Sequence, residues 1–234
     1  MDELDRSMVD DEGRLRPLWA FLAFHEALRR DVARFCAVLE PEPALDGERL
    51  AAFVEHWERF HALLDFHHVT EDTGMFPMLR GARPELAVVI DGLEHEHHQL
   101  EGLLERTDAT VHAATTGDPV HELPGLFAEL EALLLPHLAT EEEHLVPAMR
   151  AVVAEQIAAG GPGPAGPGGP GASPLLAGPL PPERSVPWLT EHLEPEVLAL
   201  AVATLPEDEA AAHHGWLTAY RTDLARWIPA RTTT

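Results

Sequence analysis

Through the first 158 positions apolar residues recur three and four apart, and the alternating runs of Val, Ile and Thr that strands need are missing. That periodicity predicts four amphipathic helices. The first runs from about Pro17 to Leu39, with Pro17 in the opening turn and Pro41 and Pro43 beyond the end. The second spans about Gly47 to Arg80. The third covers about Pro84 to Thr107 or a few residues more, and the fourth begins between Pro119 and Leu126 and continues to about Ala158. Helices joined by short connections can bury their apolar stripes only against one another, so the sequence predicts an all-α, up-down four-helix bundle.

After the fourth helix the pattern breaks. Between Gly160 and Pro182, 16 of 23 residues are Gly or Pro, a composition that supports no regular element and reads as a linker. The chain thus divides into an acidic N-terminal stretch expected to be disordered (residues 1–13), the helical body (14–158), the linker (159–182) and a C-terminal segment (183–230). That last segment carries Trp188, Leu193, Leu198, Leu200, Trp216, Tyr220, Leu224 and Trp227, too apolar a set for a free tail. Two further helices, broken near Pro206 and docked on the bundle, are expected there.

Charge narrows the function classes. Asp and Glu number 40 against 16 Lys and Arg, for a formal charge of -24, and every one of the sixteen cations is Arg. A surface of that sign does not track phosphates, so nucleic acid is excluded as a partner, and the acidity reads as a solvated, soluble face. Aliphatic runs are short, five residues at Leu86 to Ile90 and seven at Val197 to Ala203, which excludes a membrane span, and the opening MDELDRSMVDDE lacks the basic start and apolar stretch of a secretory leader. A cytoplasmic location is expected. The lone Cys36 forms no intramolecular disulfide and reads as a small core residue.

The chemistry lies in the fifteen His. The second and fourth predicted helices share one pattern: His67-His68-Val69-Thr70-Glu71-Asp72 with Pro77, against His137-Leu138-Ala139-Thr140-Glu141-Glu142 with Pro147, a constant shift of 70. His25 and His97 repeat between the first and third helices at a shift of 72. The body is therefore two copies of a helix pair, each contributing one lone His and one HxxxE. Four residues along a helix advance about 6 Å and turn about 400°, so His and Glu at this spacing stand one above the other. In the first copy that face also carries Phe60, Leu63 and Leu64, which turns His67 and Glu71 inward. Carboxylates buried beside imidazoles need a positive partner, and no Arg lies near on the same face. Four imidazoles (His25, His67, His97, His137) and two bridging carboxylates (Glu71, Glu141) suit a pair of iron ions, or manganese, better than a thiolate-loving zinc site.

These residues, in this order and duplication, resemble the hemerythrin-like (HHE cation-binding) domain family over about residues 14–158. The resemblance implies a non-haem di-iron centre bridged by the two Glu, with O2, peroxide or nitric oxide as small ligands. Oxygen-carrying members use a fifth His, four residues from another on the third helix. Here Leu93 and Glu101 occupy the positions where His97 would need that partner. His98, His144, Glu94 and Glu101 are the candidates to replace it. Glu142 is an alternative to Glu141, and His68 and Asp72 read as neighbours of the ligands or as surface residues. His56, His61, His95, His112, His121, His192, His213 and His214 read as solvated or as neighbours of ligands. Beside redox or oxygen handling stand two other readings: a di-iron oxidase or oxygenase acting on a small organic substrate, and a metal-free helical scaffold for a partner protein that the sequence does not name.

Overall fold

A computed structural model of the protein describes residues 7–40, 45, 47–117, 121–160 and 178–228. The expected all-α fold is what these residues adopt. Four long helices form the body: α1 (Trp19–Leu39), α2 (Gly47–Thr70), α4 (Ala87–Thr115) and α5 (Leu123–Ala158), with the short α3 (Phe76–Ala82) between α2 and α4. α1 packs on α2 and α5, and α4 packs on α2 and α5, so the four close a ring around one shared core. No helix among the described residues is long and apolar enough to cross a membrane.

Several boundaries differ from expectation. Pro17 is not in the opening turn of α1; the helix starts at Trp19, and Leu18 stands before it at φ 69°. Left-handed backbone on a non-glycine costs on the order of 1–2 kcal/mol, and burial of the Leu18 side chain offsets it. The second helix is interrupted rather than continuous to Arg80. A single π-helical turn, Glu71–Met75, lies between α2 and α3, closed by the Phe76 N–H donating to the Glu71 carbonyl. Pro77 follows directly and has no N–H with which to continue the α ladder. α5 instead runs unbroken through both Pro136 and Pro147.

The N-terminal stretch expected to be disordered is folded from residue 7 onward. Val9 pairs with Leu15, Met8 is fully buried, and Arg150 donates to the carbonyls of Ser7 and Pro17. The linker expectation falls mainly on residues 161–177, outside the described residues; Pro182 already begins a helix. Beyond it the C-terminal segment forms three helices rather than two, α6 (Pro182–Thr190), α7 (Pro195–Val202) and α8 (Glu207–Trp227). Pro195 adds the break that Pro206 alone does not explain.

This segment docks as expected, α6 on α1 and α8 on α2. Trp227 enters an aromatic cluster, its ring 5.3 Å from Phe35 and 5.6 Å from Phe53. The polar centre of the interface is Asp31, fully buried on α1. Its carboxylate accepts from Trp188 Nε1 (2.6 Å), His56 Nε2 (2.8 Å), Arg30 Nε (3.1 Å) and Arg34 (3.2 Å). Arg59 donates to His56 Nδ1 (3.2 Å), which fixes the neutral tautomer with its proton on Nε2. His56 is therefore a buried structural residue, not a solvated one; burial lowers its pKa, with Asp31 opposing. His213 is likewise buried and hydrogen-bonded to Thr190. Cys36 is half-buried against α5, and burial pushes its thiol up to about 11.

Burial works to raise Asp31, but His56, Arg30 and Arg34 override it and hold the carboxyl well below the usual carboxylate range. A depressed native pKa adds stability that is complete above the unfolded value of about 3.9 and fades as pH falls below it. Asp31→Ala, which strands three donors and frees Trp188, is expected to cost about 3–5 kcal/mol near neutral pH by chemical denaturation. The gap between variant and wild type should narrow below about pH 4. A loss under about 1 kcal/mol would show that Asp31 does not anchor the segment.

Candidate metal centre

The six residues singled out by the repeat come from every long helix and meet in the core. His25 lies on α1, His67 in the last turn of α2, Glu71 opens the π turn, His97 lies on α4, and His137 and Glu141 lie on α5. None exceeds 7% exposure, so water contributes little to holding charge there. Their ligand atoms form two overlapping groups, each within 4.8 Å: His25, His67, Glu71 and Glu141; and Glu71, His97, His137 and Glu141. In the first, His25 Nε2 lies 3.4 Å from Glu141 Oε2, and His67 Nε2 3.4 Å from Glu71 Oε1. In the second, His137 Nε2 lies 3.3 Å from Glu141 Oε1, and His97 Nε2 3.6 Å from Glu71 Oε2. Each carboxylate therefore gives one oxygen to each group.

Hydrogen bonds on the far side of the rings decide which nitrogen points inward. His25 Nδ1 donates to Glu142 (2.9 Å), His97 Nδ1 to Asp72 (2.8 Å) and His137 Nδ1 to Glu96 (2.9 Å). Carboxylates accept only, so the proton sits on Nδ1 and the Nε2 lone pair faces the core. His67 is held differently, stacked on Phe24 at 5.1 Å with Phe21 at 5.4 Å. The consequence is sharpest between His97 and His137, whose Nε2 atoms approach to 3.2 Å; His25 and His67 repeat that distance. Two lone pairs at that separation repel unless a proton or a metal cation lies between them. Nitrogens 3.2 Å apart subtend about 100° at an ion about 2.1 Å from each, a normal cis angle.

The carboxylates make the same demand. All four oxygens of Glu71 and Glu141 are buried without a hydrogen-bond donor. Burial, together with neighbouring Glu141, raises the Glu71 carboxyl well above its ordinary value. Glu141 is also pushed up by burial, but facing His137 overrides this and lowers it to about 2. Mixed imidazole and carboxylate donors, paired around two positions, fit two adjacent transition-metal ions.

Residues near the centre sort themselves against the sequence reading. Glu142 is not an alternative ligand: it holds His25 from outside and pairs with Arg29 at 2.7 Å. Of the proposed replacements for a fifth imidazole, His98, His144 and Glu101 are exposed, and Glu94 pairs with Arg80 at 2.6 Å. His68 is no surface residue; it is buried beside His97 and His137. The outer roles of Asp72 and Glu142 had a legible signal, because an acid follows the ligand Glu in both copies. Glu96 had none, since its counterpart at the shift of 72 is Phe24.

The sequence model of the family described as Hemerythrin HHE cation binding domain matches residues 16–158. No curated protein and no solved structure gives a significant match.

Two outcomes follow from this geometry. Glu96→Gln, which weakens the hold on His137 without touching the ligand set, is expected to reduce metal affinity about 10–100-fold in chelator competition. Glu71→Gln is expected to abolish binding of the ion pair while leaving the metal-free protein as stable or up to about 1–2 kcal/mol more stable, since it removes a buried ionisable group. Marked destabilisation of the metal-free form would mean that Glu71 has a structural partner.

Proposed function

Since the chain belongs to the hemerythrin HHE cation-binding domain family, we propose that it is a non-haem di-iron protein that binds or reacts with O2, peroxide or nitric oxide. The observation that carries the reading is the set of four buried, donorless oxygens on Glu71 and Glu141, framed by inward imidazole nitrogens. A metal-free scaffold would gain stability by exchanging those carboxylates for apolar residues, so their presence weighs against that alternative.

Bound iron would supply exchangeable electrons and a coordination position for a small oxidant or nitric oxide. Manganese would meet the same donors. The chain's own part is orientation and exclusion. Asp72, Glu96 and Glu142 fix the ring planes and keep each Nδ1 protonated, which raises the basicity of Nε2. Phe21, Phe24 and Phe76 wall the imidazoles with apolar surface, the last stacked on His97 at 5.4 Å. Ligands this deeply buried favour a reactant of two or a few atoms over an organic substrate.

The test is metal analysis of the purified chain, followed by optical spectra of the ferrous protein before and after O2, peroxide and nitric oxide. On the order of two irons per chain, with new bands on exposure, are expected. Consumption of peroxide at a steady rate would make it an enzyme, and a stable adduct a carrier or sensor. A chain that takes up neither iron nor manganese would remove the reading altogether.

A further inference from the structure

One imidazole at the centre is left over by the six-residue set. His68 sits on the helix turn that carries His67, rotated by about 100°, and this aims it across to α4 rather than at water. It is 7% exposed, its ring lies 4.1 Å from that of His97 at 22° and 5.6 Å from that of His137 at 81°, and its Nε2 is buried with no hydrogen-bond partner. Ligand atoms of His68, His97 and His137 lie within 4.8 Å of one another. A buried ring nitrogen without a partner costs about 1–3 kcal/mol, which a plain core position has no reason to carry. The repeat supplies the comparison, because the position 70 residues on is Leu138, fully buried and apolar.

We propose that His68 is a fifth imidazole ligand, supplied by α2, which gives the ion held by His97 and His137 a third nitrogen and leaves the ion held by His25 and His67 with two. The centre is then unequal by construction. Among the described residues no nitrogen donor balances His68 on the other side, where Phe21 and Phe24 flank His25 and His67 instead. The less saturated ion, on the Phe21 and Phe24 side, is the one with room for an exogenous ligand. That differs from the sequence expectation, which put the deficit beside His97.

The inference rests on the di-iron reading above, and its test separates the two. The full chain is loaded anaerobically with ferrous iron, and the imidazoles around the metal are counted by X-ray absorption. Mössbauer spectra report whether the two irons are equivalent. Expected are five imidazoles shared by two irons, in two distinct iron environments. His68→Leu is expected to lower the affinity of one iron by about 10-fold or more in chelator competition while the other is retained. His68→Ala provides the second variant, in which added imidazole should restore the lost iron. Azide is expected to bind the wild-type protein and to perturb only the iron that survives in His68→Leu. Four imidazoles on equivalent irons, or unaltered affinity for both irons in folded His68 variants, would overturn the assignment and leave the di-iron reading standing. Absence of any bound iron in wild type would overturn both.

Discussion

Two carboxylates facing each other in a buried core are the constraint around which this protein is organised. Glu71 and Glu141 are buried among imidazoles with no Arg and no hydrogen-bond donor on their oxygens. Desolvation of such groups costs several kcal/mol each unless cations meet them, so metal uptake and stability of the core are one equilibrium. The bundle answers by bringing a candidate ligand from each long helix into one buried cluster, and by placing Asp72, Glu96 and Glu142 where they orient the rings from outside it.

Much of this is legible in the amino-acid sequence alone. The shift of 70 and the four-residue spacing of HxxxE translate directly into neighbours on one inward face, because the helical period is nearly invariant. What escaped is whatever depends on packing between segments. His68 looked peripheral because a one-residue step turns a side chain off the inward face, yet at that level α4 lies against α2 and covers it. The π turn at Glu71–Met75 adds a residue to one turn, and no propensity announced it. Asp31, which also pairs with His56, meets Trp188 from a segment 157 positions further along the chain, a contact that no local pattern encodes.

The C-terminal helices are more than a cover for α1 and α2. Trp188, which donates to Asp31, also meets Phe24 edge-on at 4.8 Å, and Phe24 is stacked on His67. A continuous aromatic wall thus runs from the docked segment to a ligand ring. The buried polar assembly around Asp31 and the one around the carboxylate pair are joined through three side chains, Trp188, Phe24 and His67.

Two of the three carboxylate hydrogen bonds to the imidazoles cross between the two copies of the repeat; the third, Glu96 to His137, stays within the second. Asp72 of the first copy holds His97 of the second, and Glu142 of the second holds His25 of the first. Neither half owns a finished set of tools: each lends the other the group that steadies its lone His. The halves behave like a clasp whose hooks sit on opposite flaps. A lesion in one flap is felt as a loosened ring in the other, so paired substitutions across the repeat belong to one energetic unit and their effects will not sum.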